Sequence, residues 1–203
     1  MKTDFKKQIP SYTAKHGQFS VITVPTLQFL MVDGHGDPNT AQSYKDALTT
    51  LYPVAYKLKF FSKGELGQDY TVMPLEALWW SDDMDSFTSA RDKSRWDWTL
   101  LNMVPDWITQ EQVDTAREAV ARKGDAPLVE ALRLEPLKEG LSVQTLHIGP
   151  YDDEGPVLQE MHHKFIPTRS LSMTGKHHEI YLGDPRRTAP EKLKTILRQP
   201  VKE

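Results

Sequence analysis

A short stretch near the end of the chain, KHHEIYLGDPRR (residues 176–187), sets a carboxylate between ring-bearing side chains in the pattern of a strand. Successive strand residues point to opposite faces. His177, Glu179 and Tyr181 therefore share one face, while His178, Ile180 and Leu182 share the other, which reads as the core side. A carboxylate in an apolar aromatic cleft has its charged form penalised, and this fits it to hold a proton or to take one from water. Glu179 is the candidate base, and Tyr181 beside it can polarise a carbonyl. In a protein that only binds, the same carboxylate would attract a ligand cation and the same rings would stack on it.

The walls of such a cleft are foreshadowed by five tryptophans, at 79, 80, 96, 98 and 107. Flat, polarisable rings in that density suit a polycyclic or cationic guest, although tryptophan packs cores as readily. Leu78-Trp79-Trp80-Ser81-Asp82 echoes Ile180-Tyr181-Leu182-Gly183-Asp184, so Trp79 corresponds to Tyr181 and is expected to face the cleft. Trp80 then goes with Leu182 towards the helices. Trp96 and Trp98 share a face, and Trp79 with Trp98 is the expected cage. Trp107 and Tyr151, the latter at a strand end, are the further ligand-binding candidates. The doublets His162-His163 and His177-His178, with His147, lack any recognised metal-ligand spacing, and adjacent residues turn away from each other, so no metal is expected. VDGHGDP contains neither a GxGxxG nor a Walker pattern, so its glycines read as a turn and no cofactor is expected.

The elements that must position these residues follow the same order twice. QFSVITVPTLQFLMVDGHGDPN (18–39) reads as two short strands around Pro25 and a turn. From Thr40 a helix places Tyr44, Leu48, Leu51, Ala55 and Leu58 at steps of three and four, with a kink expected at Pro53. YTVMPLEALWWSDD and RWDWTLLNMVP return to strand chemistry on either side of a polar loop around 83–94. In the second half, LKEGLSVQTLHIGPYDD is a strand, DEGPVLQEMHHKFI a helical stretch, and HHEIYLGDPRR and LKTILRQPV the closing strands. Repetition on this scale implies a duplicated unit. The expectation is a single domain over 1–203, with repeats at about 18–105 and 132–203. A linker helix joins them at about 109–123, where Val113, Ala116 and Val120 form an apolar stripe.

Composition bounds the function. With 203 residues, 38% hydrophobic and 26% charged, the chain is that of a soluble globular protein. A net charge of −3 and the lack of a long Lys/Arg run argue against nucleic acid as a partner, because such binding needs a basic footprint. Cysteine is absent, which fits a reducing cytoplasm. No apolar run approaches the ~20 residues of a membrane span, and the N-terminal segment has no apolar signal region, so the protein is read as cytoplasmic.

The residues now also carry a resemblance. HHEIYLGDPRRTAPEKLKTILRQPV, EALWWSDD, WDWTLLNMVPDWIT and LHIGPYDDE together resemble the GyrI-like small-molecule-binding family, in particular a stand-alone cytosolic subgroup. The resemblance implies an α+β fold: two strand-helix-strand-strand units related by a pseudo-twofold axis, antiparallel sheets with helices on one side, and a ligand cleft along the axis. It implies that Glu179 is the pocket acid, with Tyr181 beside it, inside an aromatic cage for a hydrophobic or cationic organic ligand. It further implies either a hydrolase that opens the cyclopropane of DNA-alkylating natural products, or a binder without chemistry that sequesters drugs. A gyrase-inhibitor-like module that binds a protein is the third class.

Overall fold

A computed structural model describes residues 2–82, 92–124 and 126–203; most of the polar loop expected around 83–94 lies outside them. In chain order the strands are β1 (Lys2–Thr3), β2 (Ser20–Val24), β3 (Leu27–His35), β4 (Asp69–Tyr70), β5 (Glu76–Trp80), β6 (Asp97–Val104), β7 (Arg133–Leu137), β8 (Gly140–Ile148), β9 (Ser172–Met173), β10 (His177–Tyr181) and β11 (Lys194–Lys202). The helices are α1 (Phe5–Gln8), α2 (Gln42–Glu65), α3 (Gln110–Ala121) and α4 (Gly155–Glu160). Helix α4 runs on through a π-turn, Met161–Phe165, into a last turn, Ile166–Thr168.

One large sheet runs β2-β8-β11-β10-β5-β6-β3-β7, with β9 attached to β11. Its order is symmetric about the β10–β5 pair. The same succession of strand, helix, strand, strand occurs as β3, α2, β5, β6 and as β8, α4, β10, β11. All neighbours in this sheet are antiparallel. The two halves therefore share a continuous sheet whose middle pair takes one strand from each, with His177 opposite Trp79 and Glu179 opposite Ala77.

The sheet is buried on both faces, which is why its central strands read as nearly unbroken apolar runs. On the first face, Leu30 and Val32 of β3 and Trp98 and Leu100 of β6 pack against Leu51, Val54 and Leu58 of α2. Helix α2 passes through Pro53 without interruption. Helix α3 joins the same layer through Val113, Ala116 and Val120, and is capped by Thr109, whose hydroxyl accepts from the Gln112 N–H. On the opposite face Leu78, Ile180 and Ile196 meet Tyr12, with Phe5 and Ile9 packed alongside. The expectation that Trp80 and Leu182 face the helices is corrected here. Both pack in this second layer, beneath the N-terminal segment, and the helices lie on the face of Trp79, Glu179 and Tyr181.

A chain of charges runs through that second layer. His178 sits between two carboxylates, 2.9 Å from Glu76 Oε2 through Nε2 and 2.9 Å from Glu139 Oε1 through Nδ1. The Tyr12 hydroxyl donates to Glu76 Oε1 at 2.5 Å. Arg198 donates to Glu139 at 2.7 Å, to Gln144 at 3.1 Å and to the Ser11 carbonyl at 2.7 Å. Every one of these side chains is buried, so each charge depends on its partners. Burial opposes the charge on His178, but Glu139 and Glu76 outweigh it and lift the imidazole from 6.5 to about 9. Burial likewise opposes the charge on Glu139, but His178 and Arg198 draw it down to about 2.

These shifts set a pH window for stability. His178, raised when folded, contributes fully below pH 6.5, and its contribution is lost as the pH rises through 9. Glu139, depressed when folded, contributes above its ordinary 4.5, and its contribution is lost as the pH falls towards 2. Urea denaturation is expected to show these two contributions at their greatest between pH 4.5 and 6.5. His178→Leu, which leaves buried carboxylates facing an apolar side chain, is expected to lower stability by about 3–5 kcal/mol and to flatten the alkaline decline. A variant with an unchanged urea midpoint and the same alkaline limb would show that the chain of charges does not carry the fold.

Candidate functional site

The central strand pair presents its helix-facing side chains to a cavity of about 330 Å³. Alternation along β10 brings Glu179 and Tyr181 to it, and β5 contributes Trp79. The three form a directed hydrogen-bond chain. Trp79 Nε1 donates to Tyr181 Oη at 3.1 Å, and Tyr181 Oη donates to Glu179 Oε2 at 2.6 Å. Glu179 is 8% exposed, so its carboxylate leans on these contacts more than on solvent. Burial and the neighbouring Glu179 push the Tyr181 phenol well above the ordinary range. In the resting site Tyr181 therefore carries its proton at any working pH and acts as a donor, which leaves proton uptake from water to the carboxylate.

Aromatic rings build the walls. Tyr44, in the first turn of α2, stacks on Trp79 at 6.3 Å with the ring planes 17° apart. Trp96 meets Trp79 edge-on at 5.6 Å, and Tyr151 meets Tyr181 edge-on at 5.3 Å. Burial, with Glu154 and Glu179 nearby, pushes Tyr151 up to about 12, and burial also raises Tyr44, so both remain hydroxyl donors. At the mouth Lys93 bonds Asp152 at 2.6 Å, joining the segment before β6 to the turn after β8. Beyond Tyr44, Tyr151 and Tyr181 a second cavity of about 870 Å³ opens beneath Tyr52, Tyr56 and Leu75. The three tyrosines line both cavities, which form two compartments of one aromatic cleft.

Glu179, Tyr181, Trp79 and Tyr151 are thus brought together, whereas Trp98 and Trp107 are not. Trp98 shares the face of Trp79, its cross-strand partner, but its ring lies over Gly34 of β3, where a Cβ would come within 2.0 Å of it. Its Nε1 donates to the Gly36 carbonyl at 3.2 Å, and Tyr44 covers it edge-on at 5.1 Å. Trp107 lies beyond the end of β6, where it donates to Ser62 Oγ at 3.0 Å and packs on Tyr70 and Phe5. Trp96 takes the wall position expected of Trp98. Sequence reasoning missed Tyr44, Glu154 and Lys93 as lining residues. Tyr44 had a signal, being the one aromatic ring in an otherwise aliphatic stripe. Among the described residues no group of three or more His, Asp or Glu side chains gathers as a metal site, and no helix is long and apolar enough to cross a membrane.

The model of the GyrI-like small molecule binding domain matches residues 17–202. A conserved protein from Listeria innocua is 39% identical, with a TM-score of 0.88 over 98% of this chain and 99% of that one. Two further Listeria innocua structures, each described as a hydrolase, are 38% and 37% identical with TM-scores of 0.84 and 0.87; the alignments span 98% and 100% of this chain and 99% and 100% of theirs. A search of the curated proteins gives no match.

The geometry separates wall from core. Trp98→Ala empties a fully buried site and is expected to cost about 3–5 kcal/mol of stability in urea denaturation. Trp79→Phe keeps a ring in the wall but removes the N–H donated to Tyr181. It is expected to leave a folded protein that binds an aromatic ligand more weakly, by about 1 kcal/mol in fluorescence titration. Weakened binding by Trp98→Ala in protein of unchanged stability would return that ring to the cleft.

Proposed function

Because this chain belongs to the GyrI-like small molecule binding domain family, we propose that its cleft takes a hydrophobic or electrophilic organic compound and that Glu179 and Tyr181 add water to it. The reaction that fits is hydrolysis of an activated cyclopropane of a DNA-alkylating compound, a detoxifying step. The observation that carries this reading is the chain Trp79 to Tyr181 to Glu179, a held proton beside a proton acceptor within an aromatic cavity. The description of two similar Listeria structures as hydrolases supports a hydrolytic outcome.

The residues divide the work as follows. Water oxygen attacks the ring methylene as Glu179 takes the water proton. The carbon–carbon bond breaks and its electron pair moves into the conjugated carbonyl, whose oxygen becomes anionic. Tyr181 gives its proton to that oxygen and recovers one from Glu179, so the sum is one water added and the site restored. The Trp79 N–H, aimed at Tyr181 Oη, stabilises that oxygen while its own proton is displaced. The aromatic walls exclude bulk water and orient the ring for attack. A second reading, binding of an organic cation without chemistry, is favoured by the same carboxylate set among Trp79, Trp96 and Tyr44.

Incubation with a panel of cyclopropane-bearing alkylators, followed by mass analysis, is expected to show a gain of one water. Glu179→Gln keeps the shape and removes the base. It is expected to slow turnover by about 10²-fold or more with affinity nearly intact, because the lost interaction belongs to the transition state. Tyr181→Phe is expected to slow it less. A cation-binding role predicts instead that Glu179→Gln abolishes affinity for charged ligands alone. Normal hydrolysis together with normal cation binding in Glu179→Gln would make this residue structural.

A further inference from the structure

Behind the cleft lies a row of imidazoles that the chemistry above does not use. His177, on the same face of β10 as Glu179, places Nε2 3.5 Å from Glu179 Oε1, the oxygen not engaged by Tyr181, and both side chains are buried. His162, from the π-turn, sets its ring edge-on against His177, with centroids 5.8 Å apart and planes at 78°. Neither ring nitrogen of His162 has a hydrogen-bond partner, although the residue is only 3% exposed. A buried, unsatisfied polar ring is destabilising, and an apolar side chain would have filled the space without that cost. Burial, followed by the neighbouring His177 and His163, holds His162 down at about 3, so the ring is neutral. The π-turn adds a residue to the helical turn, a distortion frequent at functional sites. Here it sends His162 inward and leaves His163 exposed.

We propose that His177 is a positioning residue for Glu179, holding Oε1 so that Oε2 stays with Tyr181, and that His162 is the neutral wedge that fixes the His177 ring. The proposal rests on the reading of Glu179 as the working carboxylate of the cleft. With its proton on Nε2, His177 directs a donor at Oε1 and so stabilises the charged form of Glu179. A protonated His162 would repel a proton from His177, and an alanine would leave its ring free to turn; the neutral imidazole does neither. Other titratable groups facing Glu179 are Tyr181 on its own strand, Tyr44 on α2, Tyr151, Asp152 and Glu154 after β8, and Lys93 across the cavity, where it is paired with Asp152. The three tyrosines stay neutral, which leaves His177, Glu154 and the Lys93–Asp152 pair as the groups able to bias the carboxylate electrostatically.

The test is an NMR titration of the full chain labelled at the glutamate side-chain carboxyl carbon, with the Glu179 signal assigned by its loss in Glu179→Gln. His177→Leu is expected to raise the Glu179 midpoint by about half a pH unit or more, because a donor to the charged form is lost. His177→Gln, with an N–H at similar reach, is expected to bring it back. His162→Ala is expected to raise it by a smaller amount and His162→Phe to restore it, and this pair carries the test if His177→Leu does not fold. Where turnover is measured, the acidic limb of the kcat/KM profile is expected to move with the midpoint. A Glu179 midpoint unchanged in folded His177→Leu, or in His162→Ala if the former is unfolded, overturns the proposal. The titration needs no turnover, so it decides His177 separately from the Glu179→Gln assay that decides the role of Glu179.

Discussion

The arrangement depends on a chain of buried charges that lies on the face of the sheet away from the cleft. Tyr12, Glu76, His178, Glu139 and Arg198 neutralise one another in a layer otherwise made of Leu78, Ile180, Ile196 and their neighbours. An imidazolium between two carboxylates tolerates little displacement, since each group would be left charged in apolar surroundings. That intolerance fixes which residue of β10 faces which side. Slipping a strand by one residue exchanges its faces completely. His178 would then enter the cleft, and Glu179 would join Glu76 and Glu139 in the apolar layer, with Arg198 left to balance three carboxylates. The ionic chain thus specifies the position of a carboxylate it never touches.

Given that register, the site assembles across the symmetric middle of the sheet. Trp79 comes from one half, Glu179 and Tyr181 come from the other, and the hydrogen bond from Trp79 to Tyr181 joins residues 102 positions apart. Neither half holds the group alone. The hydrogen bonds also have a direction, from an indole that can only donate, through a phenol that accepts and donates, to a carboxylate that accepts. The tyrosine alone can give its proton to a ligand acceptor while still receiving a hydrogen bond. This makes it the switch of the site, with Trp79 as its support and Glu179 as the place a proton can go.

Much of this was legible in the chain itself. Alternation along HHEIY placed Glu179 and Tyr181 on one face, and the echo between LWWSD and IYLGD carried Trp79 to the same cleft. The tryptophans of β6 mark the limit of such reasoning. Alternation states that Trp96 and Trp98 share a face, but which of them meets the cavity is decided by Gly34 on a neighbouring strand, whose missing side chain lets the Trp98 ring lie flat. The side of the helices was misjudged for a related reason. Both faces of the sheet are apolar, and only the packing of residues 5–12 over one of them distinguishes it. The acid partners of His178 were invisible because they are brought in by strand pairing and by a loop 39 positions away. An adjacent pair of histidines carries no sign that one of them is an ion.

The β5–β10 pairing at the middle of the sheet has a kinetic consequence. It joins segments about a hundred residues apart, so closing it demands a large loss of chain entropy before its contacts are gained. During synthesis the first half emerges first and can form β3, α2, β5 and β6, but β5 then has an open edge, with its backbone groups unpaired and Trp79 uncovered. That edge is sealed only when β10 arrives. The same event that creates the cleft therefore removes the strand most able to recruit a wrong partner, and the maturation of the site and the end of the chain's vulnerability to aggregation are a single step.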